Sequence, residues 1–236
     1  MIVGISGLTI EKRFFGLFSR RGNAGAGKDE AAKRLVMEHE FVALAFADPM
    51  KRFVRDIYSF SDDQLWGPSE LRNRPDTRYP RSAVDATSVK DLVTKITPNF
   101  LTPRYALRTL GEEWGRGCYL NTWVDYAMQV AKRLESGNWY YEQKHGLYPC
   151  RGKPGKNVVI TDLRYRNEAD AIRAQGGKLI RVKRLVEKLK LVPNHQSELD
   201  LLGTYDDEFD AVLENNGTIE DLWREVDRVI LDFSRY

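Results

Sequence analysis

Gly22-Asn23-Ala24-Gly25-Ala26-Gly27-Lys28-Asp29 sets its glycines and lysine in the spacing G-x-x-x-x-G-K. Glycines at such positions let the backbone curl until successive N–H groups face an anion, and the lysine reaches the terminal phosphates of a nucleotide. The segment from Asp29 to Glu38 predicts a helix, and a helix N-terminus adds its dipole to the same anion site. The residue after the lysine is ordinarily Ser or Thr, whose hydroxyl meets Mg²⁺. Asp29 offers a carboxylate instead, suited to the ion directly or through water. Its plainer role is that of a first-turn acid on the helix.

A second acid closes an apolar run, Val158-Val159-Ile160-Thr161-Asp162. At the end of a strand beside a phosphate loop, such a carboxylate orients Mg²⁺ or its waters. Arg164 follows two residues on, close enough in sequence to bring a cation to the same phosphates, with Arg166, Asn167 and Glu168 behind it. The competing reading makes Asp162 through Glu168 a capped, solvated helix start. Asp48, in Phe46-Ala47-Asp48-Pro49, is open to two readings, helix cap or site residue. Lys51, Arg52, Arg72, Arg74, Arg78, Arg81, Arg104 and Arg116 crowd one stretch, and a phosphorylated acceptor needs one or two guanidinium clamps. Trp66, Tyr79 and Trp114 have the ring area to stack on a base, while helical spacing favours a core role for Trp114. His195 reads as structural or as a ligand contact.

Five apolar runs predict strands to carry these residues: Ile2–Ser6, Phe41–Phe46, Asn157–Thr161, Lys178–Val182 and Phe209–Leu213. Helical patterns alternate with them. Asp48-Pro49 and Thr102-Pro103 read as N-cap and first-turn proline. Trp123 to Leu134 keeps helical spacing as far as Gly137. Thr218 with Asp221 forms a capping box before Ile219, Leu222, Trp223, Val226, Val229, Ile230 and Phe233, which share one face. This alternation implies a mostly parallel sheet covered on both sides, with the site at the carboxyl ends of its strands. The long stretch between the second and third strands, about 49–150, predicts an inserted helical lobe. Within it Trp66 to Ser82 reads as an irregular loop and Tyr140 to Lys156 as mobile.

The 236 residues, 42% hydrophobic and 30% charged, describe an ordinary globular enzyme. No apolar run is long enough to span a bilayer, and residues 1–7 read as a strand instead of a signal peptide. The two cysteines make no disulfide or metal pattern and point to a reducing, intracellular setting. Lys12, Arg13, Arg20 and Arg21 against Glu11 carry the whole net charge of +3, so the rest is formally neutral. That balance argues against direct binding of nucleic acid.

With these residues laid out, the chain resembles the bacteriophage deoxynucleoside monophosphate kinases, a branch of the P-loop kinases. The likeness rests on Gly27-Lys28-Asp29, Phe46-Ala47-Asp48-Pro49-Met50-Lys51, Pro103-Arg104 and Leu110-Gly111-Glu112-Glu113-Trp114-Gly115-Arg116. It is most specific at Thr161-Asp162-Leu163-Arg164-Tyr165-Arg166-Asn167-Glu168-Ala169, and extends to His195–Glu198 and Asn216-Gly217-Thr218. The resemblance implies an α/β, three-layer P-loop NTPase fold with a five-stranded parallel sheet in the order 2-3-1-4-5 and an acceptor-binding helical lobe. It implies a lid over about 184–205, all within one kinase domain of residues 1–236. It also implies Mg²⁺-dependent transfer of the ATP γ-phosphoryl group to a deoxynucleoside monophosphate, in the cytoplasm of a host cell, and points to a homodimer.

Under that resemblance, Lys28 and Arg164 stabilise charge, Asp29 and Asp162 organise Mg²⁺, and Glu168 steadies Arg164 or the acceptor. Gly22 to Glu30 hold the ATP phosphates and Asn216-Gly217 lies near the adenine. Asp48, Lys51, Trp66, Arg104, Trp114, Arg116 and Arg166 face the acceptor. Two departures stand out. Glu30 replaces the usual Thr, and residues 8–22 read as a basic, aromatic insertion whose deletion is expected to spare or improve activity. An alternative reading makes Phe14–Phe18 the first strand. The rival functions are another P-loop small-molecule kinase, or a nucleotide-operated binding module or ATPase.

Overall fold

The computed structural model describes residues 1–11, 21–22, 25–81, 100–187, 201 and 206–235. They form two compact units. One comprises Met1–Phe46, Val124–Gln143 and Leu147–Tyr236; the other comprises Ala47–Trp123 with Lys144–Gly146.

In the first unit, short β-branched runs become the strands β1 (Ile2–Glu11), β2 (Arg21–Gly22) and β3 (Val42–Leu44). A hairpin of β4 (Trp139–Glu142) and β5 (Gly146–Pro149) precedes β6 (Val158–Ile160), β7 (Lys178–Val186) and β8 (Ala211–Glu214). Across the main sheet the order is β3-β6-β1-β7-β8, every neighbouring pair parallel. β2 pairs antiparallel with β1, so the sheet has six strands where five were expected. The hairpin falls largely within Tyr140 to Lys156, the stretch read from its composition as mobile; Gly146, at φ 92, opens its second strand.

Alternation along β1 explains the layering. Val3 and Ile5 join one buried cluster with Ala31, Ala32 and Leu35 of helix α1 (Lys28–Glu38) and with Leu222, Val226, Val229 and Ile230 near the C-terminus. Gly4, pointing the other way, lies where a Cβ would meet Ile172 and Leu163. Successive side chains of a strand face opposite sides, so helices cover both faces. The C-terminal helix, Ile219–Phe233, starts at the expected capping box: Thr218 Oγ1 accepts from Asp221 N at 3.2 Å, and Asp221 Oδ2 accepts from Thr218 N at 2.9 Å.

Residues 8–11 correct the insertion reading. Leu8 and Thr9 are buried, and Leu8 to Glu11 continue β1 in register with Lys183 to Val186 of β7. The chain then returns with Thr9 opposite Gly22 and Ile10 opposite Arg21. Both ends of the supposed insert are therefore structural members of the sheet. Phe14–Phe18 lies outside the described residues.

In the second unit, helix α2 (Asp48–Tyr58) starts one residue earlier than expected, with Asp48 inside its first turn and Ala47 as the cap residue. Thr102 does cap the helix Pro103–Thr109, its Oγ1 accepting from Tyr105 N at 3.1 Å. Val54, Phe60, Leu65 and Ala106 make the buried centre, joined by Tyr58, Trp66 and Tyr79. The stretch after Trp66 is more ordered than its composition implied. It contains a short helix, Ser69–Arg72, and a turn in which Arg78 Nε and Nη2 donate to the two oxygens of Asp76 at 2.9 and 2.7 Å. Leu110–Arg116 is a π-helix, a rare form. Its carbonyls at Gly111 and Gly115 accept from Trp123 Nε1 and Thr122 Oγ1, and the Trp123 ring fills the space a Cβ on Gly115 would need.

Candidate nucleotide-phosphate site

The loop before α1 takes the backbone form that its glycines permit. Gly25 and Gly27 hold φ of 76° and 100°, a left-handed region costly for residues with a Cβ. Gly27 is the N-cap of α1 and supplies no side chain to it, so the first-turn N–H groups keep no side-chain cap among the described residues. Lys28, the first helical residue, extends to the end of the neighbouring strand. Its Nζ donates to the carbonyl of Thr161 at 3.2 Å and to Asp29 Oδ1 at 2.7 Å. Asp29 is 83% exposed, so that ion pair is weak and easily exchanged for another anion.

One residue beyond Thr161, Asp162 Oδ1 accepts from the Phe46 backbone N–H at 2.9 Å, tying the ends of β6 and β3 together. Lys28, Asp29 and Asp162 thus gather at the carboxyl ends of adjacent parallel strands, where ligands bind in open α/β sheets. Arg164 is half-buried just after them. Glu168 is buried, and its Oε2 accepts from the backbone N–H groups of Arg164 and Tyr165, at 2.7 and 2.9 Å, and so caps the helix Arg166–Ala174. Arg166 is engaged by Glu208, Nη1 to Oε2 at 2.7 Å.

The opposite flank of the loop is formed by β7 and β8. Arg184 Nη1 comes within 3.5 Å of Gly25 O. Asn216 Oδ1 accepts from Leu185 N at 2.8 Å, which holds the Asn216-Gly217 turn beside the sheet. Lys183 is occupied: its ammonium lies 2.7 Å from Asp206 and 3.2 Å from Glu214, and the Asp206 hydrogen bond raises its pKa. Asn23, Ala24, His195 and nearly all of the expected lid, apart from its first residues at Arg184 to Glu187 and Leu201, lie outside the described residues.

The acceptor candidates belong to the second unit, except Arg166. Asp48 is fully buried, with Lys51 at 3.7 Å. Lys51 and Arg55 lie 5.7 and 5.5 Å from the centre of the Trp66 ring, which packs against the buried centre of this unit. Arg104 donates to Asn73 and Ser69 at 2.5 and 2.7 Å, and Arg116 lies 3.6 Å from Glu112. Trp114 is 57% exposed, against the core alternative that its helical spacing favoured.

Together these features define an α/β protein with a mostly parallel central sheet, an arrangement that fits a P-loop kinase fold. No protein-family model matches the chain. It is 28% identical over 211 residues, 89% of this chain and 93% of the other, to a protein of Acanthamoeba polyphaga mimivirus described as "Putative deoxynucleotide monophosphate kinase". That likeness supports kinase chemistry at the level of the class. No helix among the described residues is long and apolar enough to cross a membrane.

Proposed function

We propose that the protein is a deoxynucleoside monophosphate kinase, moving the γ-phosphoryl group of ATP to the phosphate of a deoxynucleoside monophosphate and releasing ADP and the diphosphate. The observation that carries this reading is Lys28, placed by the uncapped start of α1 with its ammonium at the end of the Asp162 strand. The similar mimivirus protein supports the choice of acceptor.

Such a transfer needs positioning and charge stabilisation more than proton chemistry, since the acceptor is already an anion. Lys28 and Arg164 supply cations to the transferring oxygens. Gly22 to Gly27 and Asn216-Gly217 seat the nucleotide. Mg²⁺ ordinarily takes one or two carboxylates and completes its shell with phosphates and water. Asp29 and Asp162 suit that role, and no cluster of three or more acidic, His or Cys ligands exists among the described residues. Bound there, the ion would neutralise charge on the phosphates.

The test is ADP release followed in a coupled assay with Mg·ATP and each common deoxy- and ribonucleoside monophosphate. ADP formed only when a monophosphate is present supports the kinase. ADP without acceptor indicates an ATPase, and binding without turnover a switch. Lys28→Ala, Asp162→Ala and Arg164→Ala are expected to lose turnover while keeping the native circular-dichroism spectrum. Near-wild-type rates in all three refute the assignment.

A further inference from the structure

We infer that Asn215 is a positioning residue that holds the phosphate loop in its anion-binding shape. The inference rests on the reading of Gly22–Asp29 as a phosphate site and adds to it a residue outside the loop. Asn215 follows the last strand, β8, and is itself anchored there: its backbone N–H donates to Lys183 O at 2.7 Å. From that fixed point its side-chain Nδ2 donates to the carbonyl of Ala26 at 2.8 Å. Ala26 is fully buried, between the two glycines with positive φ.

This one hydrogen bond acts on the orientation of a peptide plane. Curling N–H groups toward an anion turns the intervening carbonyls away from it, and a carbonyl turned into the protein needs a donor. Asn215 is that donor for Ala26. The fit is close: a Cβ on Gly27 would lie 2.2 Å from Asn215 Nδ2 and 3.2 Å from its Cγ. Gly27 is therefore required twice, by its φ of 100° and by the amide packed against it. With Asn215 shortened, Ala26 O loses its partner and the 25–27 backbone gains room to rotate. The bound phosphates then have to restore the loop's shape at the expense of affinity.

Isothermal titration of the full chain with ATP and with inorganic tripolyphosphate, in Mg²⁺, separates this role from its neighbours. Asn215→Ala is expected to weaken both ligands by a similar factor, up to roughly tenfold for one lost, partly buried hydrogen bond. Asn215→Asp keeps the size but replaces the donor with a carboxylate facing Ala26 O, and is expected to weaken both further. A loss confined to ATP traces to the adjoining Asn216-Gly217 turn and overturns the proposal, as does unchanged binding of both ligands. If both variants lose the native circular-dichroism spectrum, Asn215 is a folding residue and the proposal is wrong. Wild-type protein that binds neither ligand defeats the phosphate-loop reading itself, a result distinct from the others.

Discussion

Single side chains in this protein carry two kinds of duty that substitution can separate. Asp162 is the clearest case, because its Oδ1 accepts from Phe46 N while the proposed function assigns its charge to the metal. Asp162→Asn retains an acceptor oxygen of the same size but no charge. It is expected to keep wild-type stability to urea and to lose at least about a hundredfold in turnover, the scale of one lost electrostatic contact. Asp162→Ala loses the acceptor as well and should be roughly 1–3 kcal/mol less stable. Wild-type turnover in Asp162→Asn would remove Asp162 from the metal site. Asp76 makes a purely structural counterpart. The paired hydrogen bonds from Arg78 hold its pKa down to about 2. A depressed carboxylate stabilises the fold above its unfolded value of about 3.9, and that contribution fades as pH falls toward the folded value. Urea midpoints of wild type and Asp76→Asn should therefore differ at neutral pH and converge between about pH 4 and pH 2. A gap that stays constant across this window would show that the charge is irrelevant.

At the scale of elements, the first hairpin revises what can be removed from the chain. Deleting residues 8–22 takes away the partner of Lys183–Val186 and the buried Leu8 and Thr9. Such a variant is expected to be poorly folded, contrary to the insertion reading. Replacing residues 11–20 by Asn-Gly joins Ile10 to Arg21, a pair already in register, through a two-residue turn matched to strand twist. This shortened protein should keep its melting temperature and its ATP affinity. Lost ATP binding with the fold retained would place residues 11–20 in the nucleotide site. The same hairpin fixes where the phosphate loop begins, since Gly22 is the last residue of β2.

For the whole molecule, ligand linkage gives the broadest test. A ligand that binds only the folded state at 100 times its dissociation constant adds about 2.7 kcal/mol. For a domain of 150–250 residues this corresponds to a rise of roughly 5–10 °C in melting temperature. Saturating Mg·ATP should produce such a rise in the wild type and little in Lys28→Ala at the same concentration. An equal rise in both would place nucleotide binding away from the loop. The charge distribution bears on the same scale. The excess of +3 falls within residues 8–22 and leaves the remainder formally neutral, a balance that argues against an extended basic face.

Local chemistry made much of this legible from the residues alone. The glycine spacing and lysine marked the loop because few residue types tolerate that backbone, and Thr218-x-x-Asp221 and Thr102-Pro103 marked their helix starts because capping is satisfied within one turn. The β-branched runs named all five parallel strands for the same reason, though with ends shifted by a few residues. What no local pattern contained was decided by contacts distant in sequence. Residues 8–11 are strand because β7 offers them a partner more than 170 positions away. Nothing in the neighbourhood of Asn215 points to a role, and folding alone sets its amide 2.8 Å from Ala26 O, 189 residues earlier in the chain. Tertiary structure alone decides such roles, because a hydrogen bond depends on where two groups meet and not on what either sequence neighbourhood prefers.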